Sequence, residues 1–375
     1  KSLVTSGMRF KNIKFRGKTI LSGREIEEQF YQPFNDLRFH NRLEKIVEWI
    51  IKQIDEFQKE EQNEQWVLDE MELLSEEEYR KFHRYLANKK GFKREKISDY
   101  ELERNDLAYY IVEKKLNPLK RRVKAFQFIH FKKIYEQLFT DNSLVDQLFD
   151  DKKPSHWSGI CELTIHMLKE NKLYYEDATP FLFLQEHILG FEANRSIKHI
   201  VVDEGHDYST VQFEFLKRVY PNAKMTVLGD FHQAIFVHAR EQNSFDTLRT
   251  LYDTNETEFI QLEKSYRATK PIIEFTRTLI PHGEKIIPFD RDGNKPSLTY
   301  ANNKDVLHEK IINKIKELQK EGYKSIAVIC KSAKESEKAF EILRKNIKMK
   351  LITKGSFEYE QGVVVIPSYL AKGIE

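Results

Sequence analysis

Short apolar runs alternate with helical stretches in the second half of this 375-residue chain, and this alternation constrains the fold more than any other feature. The predicted strands are His199 to Val202, Met225 to Leu228, Phe259 to Leu262, Ser325 to Cys330 and Val363 to Ile366. The predicted helices between them are Thr210 to Val219, Pro271 to Thr278, Val306 to Gly322 and Glu335 to Asn346. Such alternation is typical of parallel strands joined by crossover helices.

Helical patterns with segregated charge dominate the first 150 residues. Apolar residues recur at helical spacing from Leu43 to Phe57, which predicts an amphipathic helix with one buried stripe. The segment from Asp55 to Glu78 holds eleven acidic residues and one lysine, whereas Lys114 to Lys133 holds eight basic residues and no acidic residue. Two interpretations are open. In the first, the acidic and basic helices pair with each other or face solvent; in the second, the separation of charge marks a binding surface.

Net charge and cysteine usage exclude several classes of protein. The formal net charge is only +3, so any contact with nucleic acid depends on local patches. Cys161 and Cys330 are far apart and lack CxxC spacing, which argues against a disulfide framework or a zinc site. No apolar run approaches the roughly 18 to 20 residues that cross a bilayer. Residues 1–10 lack the layout of a signal peptide, and we expect a cytoplasmic protein.

Two adjacent carboxylates, Asp203 and Glu204, follow the apolar run that ends at Val202. In open α/β sheets ligands gather at the carboxyl ends of strands. A Walker B arrangement places one carboxylate on Mg²⁺ and lets the next polarise the attacking water, and these residues fit those roles. The alternative is a strand followed by two solvated acidic residues.

A second strand, predicted to end at Leu228, runs into Gly229, Asp230 and, three residues later, Gln233. This places an amide beside the end of the first strand, where it can reach a terminal phosphate and respond to the nucleotide state. The alternative is an ordinary Gly-Asp turn.

A third strand, predicted to end at Leu262, leads to Tyr266 and Arg267. A guanidinium can stabilise charge that builds on a γ-phosphate, and a tyrosine can stack on a base. The alternative is a surface arginine beside a core tyrosine.

Four motifs, in this order, resemble those of superfamily-1 helicases of the UvrD/Rep/PcrA type. DEGHD at 203–207, LGDFHQAIF at 228–236, SYR at 265–267 and AKGIE at 371–375 look like motifs II, III, IV and V. Flanking segments at 15–31, 117–139, 176–190 and 273–280 look like the HelD family of RNA-polymerase-associated helicase-like ATPases. The likeness covers nearly the whole chain. It implies a monomer that uses ATP and Mg²⁺, acts on DNA and inserts a helical arm into the main channel of RNA polymerase.

The resemblance also implies roles for single residues. Asp203 would hold Mg²⁺, and Glu204 would be the catalytic base. Gln233 and Arg267 would contact the γ-phosphate, and Tyr266 would stack near the adenine. Two motif V residues, Gly373 and Glu375, would link the nucleotide to the second RecA-like domain. The family's DEAQD is DEGHD here, and His206, in place of the usual glutamine, could still form hydrogen bonds.

The sequence contains no G-x-x-x-x-G-K-[ST] loop, whose backbone amides and lysine cradle phosphates. Gly17-Lys18-Thr19 lacks the preceding glycine and strand, so we expect these 375 residues to be an internal piece of a longer protein. Without the phosphate cradle and an arginine finger, which alone contributes about 10³- to 10⁵-fold in rate, the purified chain should be inactive. Robust turnover in a phosphate-release assay on the chain would contradict this prediction.

The predicted fold class is α/β, with incomplete P-loop NTPase (RecA-like) domains on parallel sheets and a mostly α-helical inserted arm. Residues 1–155 form the arm within the first domain, 156–282 the rest of that domain with motifs II, III and IV, and 283–375 the start of the second domain. Three functions stay open: a HelD-like ATPase that releases or recycles RNA polymerase from nucleic acid, a conventional UvrD/Rep-type DNA helicase in repair, and a non-catalytic polymerase-binding module.

Overall fold

The computed structural model describes residues 3, 6–33, 37–90, 100–149, 153–233, 248, 251–252, 254–355 and 361–372. The helices are α1 (Gly23–Tyr31), α2 (Phe39–Glu61), α3 (Gln65–Glu72), α4 (Glu76–Lys90), α5 (Tyr100–Lys124), α6 (Phe131–Thr140), α7 (Asn142–Phe149), α8 (Trp157–Lys169), α9 (Tyr175–Leu189), α10 (Thr210–Val219), α11 (Lys270–Thr276), α12 (Lys304–Lys320), α13 (Ala333–Leu343) and α14 (Ser368–Ala371). The strands are β1 (Ile13–Phe15), β2 (Lys18–Leu21), β3 (His199–Val202), β4 (Lys224–Val227), β5 (Lys264–Ser265), β6 (Ile287–Pro288), β7 (Ser325–Cys330), β8 (Met349–Leu351) and β9 (Gly362–Pro367).

The described chain is largely helical with small parallel sheets, and it divides into two compact units. The first unit comprises residues 1–200 and 210–226, and the second comprises 201–209 and 227–375. The assignment of 1–155, 156–282 and 283–375 to an arm and two RecA-like domains stays a prediction. None of the helices in the described ranges combines the length and the apolar character that crossing a bilayer requires.

Helix α2 carries the centre of the first unit's core. Leu43, Ile46, Ile50 and Ile54 are buried there, which confirms the amphipathic helix predicted from their spacing. Burial of each such side chain stabilises the fold by about 1.5–3 kcal/mol relative to exposure. The apolar stripe of α2 therefore holds the helices around it in place.

A β-hairpin at the start of the first unit was not predicted from the sequence. Strands β1 and β2 pair antiparallel, with Phe15 opposite Lys18. The two residues between them, Arg16 and Gly17, both have positive φ angles, +46° and +84°. Positive φ at both central positions is the two-residue turn that matches the twist of a hairpin. Gly17 supplies this conformation without the steric cost that a side chain brings.

The acidic and basic segments of the first unit pair with each other. Lys114 lies 2.9 Å from Glu78, Lys115 lies 2.6 Å from Glu70, and Lys120 lies 2.6 Å from Asp55. These contacts join α5 to the helices of the acidic segment and favour the pairing interpretation for these residues. Exposed ion pairs contribute little stability each, so the pairs chiefly set which surfaces face one another.

A parallel sheet of order β7-β9-β8 forms the centre of the second unit's C-terminal part. Ser325 pairs with Gly362 and Cys330 with Pro367, so β7 and β9 run side by side in register. Helices α12 and α13 pack against this sheet through Ile315 and Leu343. The strand predicted at Ser325 to Cys330 is confirmed, and the one predicted at Val363 to Ile366 extends by one residue at each end.

The prediction of a strand from Phe259 to Leu262 is wrong. No strand is present at these residues, and β5 begins two residues later at Lys264. The prediction assumed that an apolar run is buried, but Phe259, Ile260 and Leu262 are all exposed. Strand β5 is only two residues long and pairs in parallel with β6.

Candidate functional site

The two carboxylates follow the end of β3, beside the end of β4. The backbone N–H of Leu228 donates to the carbonyl of Val202 over 2.8 Å, and that of Gly205 donates to the carbonyl of Leu228 over 2.7 Å. The bond from Lys224 to Lys198 keeps the same offset, so the two strands run in parallel. Parallel strands present their carboxyl ends at one edge of a sheet, where ligands of α/β proteins bind.

Glu204 has a strained backbone. Its φ and ψ angles are +51° and +38°, the left-handed region that few residues with a side chain adopt. Such residues concentrate at functional sites, where the surrounding structure holds them. The backbone N–H of Glu204 donates to Oδ1 of Asp203 over 2.8 Å. Both carboxylates are exposed and therefore accessible to a ligand.

His206 connects Glu204 to the turn after β4. It is only 2% exposed, and its Nδ1 accepts the backbone N–H of Asp230 over 3.0 Å. The ring therefore uses Nδ1 as an acceptor at this turn. The other ring nitrogen, Nε2, lies 3.2 Å from Oε2 of Glu204. The histidine therefore still accepts a hydrogen bond in this position, although it replaces the usual glutamine.

Gly229 allows His206 to approach the turn closely. A Cβ atom on this residue would lie 3.1 Å from both the backbone N and the Nδ1 of His206. That separation is shorter than an ordinary van der Waals contact, so a side chain at position 229 would push the ring away from Asp230.

Lys372 completes a cluster of charges with Glu204, His206 and Asp207. Its side chain is 16% exposed, and its Nζ forms an ion pair with Oδ2 of Asp207 and lies 3.7 Å from Oε2 of Glu204. Nζ also lies 2.7 Å from Nε2 of His206. The ammonium is thus a cation shared by the two carboxylates. Sequence reasoning missed this residue, although AKGIE contains it.

Gln233 belongs to the same turn as Asp230. Its Nε2 donates to Oδ2 of Asp230 over 3.0 Å, and Oδ1 of Asp230 accepts the N–H of His232 over 3.0 Å. Through Asp230 and His206 the structure joins the turn that carries Gln233 to Glu204. Two of the predicted site segments, 203–207 and 229–233, are thus linked.

Tyr266 and Arg267 follow β5, which pairs with β6 rather than with β3 or β4. The Tyr266 ring is exposed, with its centroid 5.2 Å from that of Phe289. The carbonyl of Arg267 accepts from the guanidinium of Arg291 over 2.6 Å. Convergence of these residues with Asp203 on one nucleotide stays a prediction. Gly373 and Glu375 lie outside the described residues.

The donor set at the end of β3 suits Mg²⁺. The described ranges contain no group of three or more His, Cys, Asp or Glu side chains that could hold a metal without other ligands. Mg²⁺ usually keeps several waters and takes one or two protein carboxylates together with substrate phosphates. The exposed carboxylates of Asp203 and Glu204 fit that mode of binding.

Residues 14–246 match the UvrD/REP helicase N-terminal domain, and residues 260–369 match the UvrD-like helicase C-terminal domain. The chain belongs to the UvrD/REP helicase family. In this UvrD/REP chain the N-terminal match begins within β1, and it covers most of the first unit as well as the site at the ends of β3 and β4.

Two curated proteins are similar to this UvrD/REP chain. A probable DNA helicase II homolog of Mycoplasma capricolum is 27% identical over 212 residues, which are 53% of this chain and 29% of the relative. The ATP-dependent DNA helicase srs2 of Schizosaccharomyces pombe is 33% identical over 88 residues, 23% of this chain and 10% of the relative. The aligned residues therefore span less than a third of either relative.

Replacing His206 with alanine should loosen the turn after β4. The variant loses the acceptor for the Asp230 N–H, and one such hydrogen bond is worth about 1 kcal/mol. Amide exchange at Asp230, followed by mass spectrometry of a peptide spanning 229–233, should therefore become roughly fivefold faster. His206→Gln offers a new acceptor and should keep most of the protection, and exposed His232→Ala is the control. Equal protection in all three variants would show that the ring does not hold the turn.

Proposed function

We propose that this chain is part of an ATP-driven motor that acts on nucleic acid, built from two RecA-like domains with the boundaries given above. The observation that carries the proposal is the cluster at the ends of β3 and β4. There an exposed pair of carboxylates is tied to the neighbouring turn through buried His206. Membership of the UvrD/REP helicase family supports the same reaction class.

In this proposal Asp203 would hold Mg²⁺, and Glu204 would accept a proton from the attacking water. Mg²⁺, when bound with ATP, neutralises charge on the phosphates. His206, whose Nε2 lies 3.2 Å from Oε2 of Glu204, helps to position this carboxylate. Gln233 and Arg267 contact the γ-phosphate, Tyr266 stacks near the base, and Gly373 and Glu375 link the nucleotide to the second RecA-like domain.

Lys372 supplies the counter-charge of this site. Three carboxylates, those of Asp203, Glu204 and Asp207, lie within five residues of one another. Like charges that are close together repel, and a shared cation offsets that repulsion. The ammonium of Lys372 contacts two of the three carboxylates.

ATP turnover by the full-length gene product, with and without single-stranded DNA, tests the proposed motor. We expect turnover that requires Mg²⁺ and rises when DNA is added. Absence of Mg²⁺-dependent turnover in a folded full-length protein would overturn the proposal.

Two finer functions share this motor. A HelD-like protein would use the nucleotide cycle to release RNA polymerase from nucleic acid, and the flanking segments that look like HelD support it. A conventional DNA helicase would separate strands, and the printed names of both relatives, DNA helicases, support that function. Either function is consistent with a cytoplasmic protein that works as a monomer.

One paired experiment separates the two finer functions. Core RNA polymerase is used to pull down the full-length gene product at moderate salt, and the same preparation is assayed for unwinding of a tailed duplex. Retention on the polymerase without unwinding supports the HelD-like function. Unwinding without retention supports the conventional helicase.

The third function, a non-catalytic module whose acidic helices imitate nucleic acid, has less support. Seven of the eleven acidic residues between Asp55 and Glu78 lie in ion pairs with lysines or arginines of this chain. Paired carboxylates present less net negative charge to a basic channel. The acidic segment is therefore better explained as a packing partner of α5 and the hairpin.

A further inference from the structure

The basic segment Lys114 to Lys133 divides into two parts. Lys114, Lys115 and Lys120 each contact a carboxylate of the acidic segment. The later basic residues contact none: among the described residues, Arg121, Arg122, Lys124, Lys132 and Lys133 take part in no ion pair. Their charge remains uncompensated at the end of α5 and the start of α6.

A short loop holds cations from distant parts of the sequence together here. The backbone N–H of Lys11 donates to the carbonyl of Phe128 over 2.7 Å, and its Nζ donates to the carbonyl of Gln127 over 3.1 Å. The Nε of Arg122 donates to Oε1 of Gln127 over 3.3 Å. Gln127 therefore binds both Lys11, which is 116 positions away in the sequence, and Arg122.

Lys132 and Lys133 continue the same surface at the start of α6. His130 caps this helix by accepting the backbone N–H of Lys133 on its Nδ1, and its own N–H donates to the carbonyl of Arg9 over 2.8 Å. Burial lowers the pKa of His130, and the charges of Lys133, Lys11 and Lys132 lower it further. Three lysines from two parts of the sequence therefore lie near this ring.

We propose that Lys11, Arg122, Lys132 and Lys133, the loop surface, bind the phosphate backbone of a nucleic acid strand. This site goes beyond the proposed motor because it involves no nucleotide-site residue and needs no ATP. Ammonium and guanidinium groups are the usual contacts to phosphate oxygens, and such contacts carry no sequence information. Binding should therefore be independent of base sequence.

An acidic protein fits the loop surface less well. Protein interfaces depend on a desolvated core of apolar and aromatic side chains, whereas nucleic-acid interfaces are polar and positively charged. Phe128 and Ile129 at the centre of the loop are buried. Between residues 119 and 135, all of which the structure describes, no large apolar side chain is exposed. The surface thus offers cations without an apolar anchor.

Fluorescence anisotropy of the purified chain with a labelled 20-base DNA strand and a 20-base-pair duplex, without ATP, tests this proposal. The double variant Lys132→Glu with Lys133→Glu should bind at least tenfold more weakly. Each lost phosphate contact lowers the slope of log K against log salt by about 0.9 on duplex DNA. The slope should therefore fall by about 2.

Lys52→Glu with Lys59→Glu is the matched control, since both lysines are exposed on α2 and the change in net charge is the same. The conservative pair Lys132→Arg with Lys133→Arg should retain the affinity and the slope. Equal weakening in the control, or no weakening in the reversal variant, would overturn the proposal. A charge-reversal variant that loses binding to labelled poly-glutamate but keeps its affinity for DNA would also overturn the proposal.

A negative result in this test does not contradict the proposed ATP-driven motor, because ATP turnover by the full-length gene product is measured separately. The tryptophan emission spectrum checks folding of every variant. All three tryptophans, Trp49, Trp66 and Trp157, lie in the first unit together with the loop surface.

Discussion

Replacing Glu204 with glutamine in the full-length gene product should lower the rate of ATP turnover by about 10²- to 10⁴-fold, the usual contribution of a positioned general base. Glutamine has nearly the same shape but cannot accept a proton from water. Its amide oxygen can still face the ammonium of Lys372, which lies 3.7 Å from the carboxylate, so the local structure should remain. The loss should therefore be in kcat, with ATP affinity nearly unchanged.

Steady-state phosphate release gives kcat, and equilibrium binding of a fluorescent ATP analogue gives affinity. Glu284→Gln is the matched control because this glutamate is exposed in the same unit and belongs to neither β3 nor β4. An unchanged kcat in the Glu204→Gln variant would show that Glu204 is not the general base. An equal loss in the Glu284 variant would point to general damage instead.

Replacing Leu43 with alanine should lower the free energy of unfolding of the first unit by about 2–5 kcal/mol. The Leu43 side chain is 2% exposed and packs in the core that α2 organises. Alanine removes buried methyl groups and leaves a cavity that the surrounding helices fill only in part. Urea unfolding followed by tryptophan fluorescence measures the change, since every tryptophan lies in this unit.

Leu73→Ala is the control for this prediction. The same substitution is made in the same unit, but Leu73 is 81% exposed. Surface substitutions of this kind usually change stability by less than about 0.5 kcal/mol. Similar losses in the two variants would show that burial in α2 does not set the stability of the unit.

Local pattern was enough to locate the long elements. Helix α2 and strand β7 were predicted because a helix repeats its buried face every three to four residues and a buried strand is a short apolar run. Helix α10 has the predicted ends, Thr210 and Val219. The order of motifs was also sufficient to indicate the superfamily, and the UvrD/REP match agrees with it.

The hydrophobic pattern of the sequence did not predict the short elements correctly. The hairpin of β1 and β2 has strands of three and four residues, too few to show a clear period. The run from Phe259 to Leu262 looks like a strand, yet its side chains are exposed. Whether an apolar run is buried depends on what covers it, and that information lies elsewhere in the chain.

The sequence by itself determined the helical period of α2, the strand β7 and the place of Asp203 and Glu204 after an apolar strand, because each depends on neighbours along the chain. Only the tertiary structure decided which distant charges meet. It brought Lys372 to Asp207, over 165 positions, and Lys120 to Asp55. Any of the 62 basic residues could have partnered any of the 59 acidic ones. Coulomb attraction selects no partner until packing has placed the side chains within a few ångströms of each other.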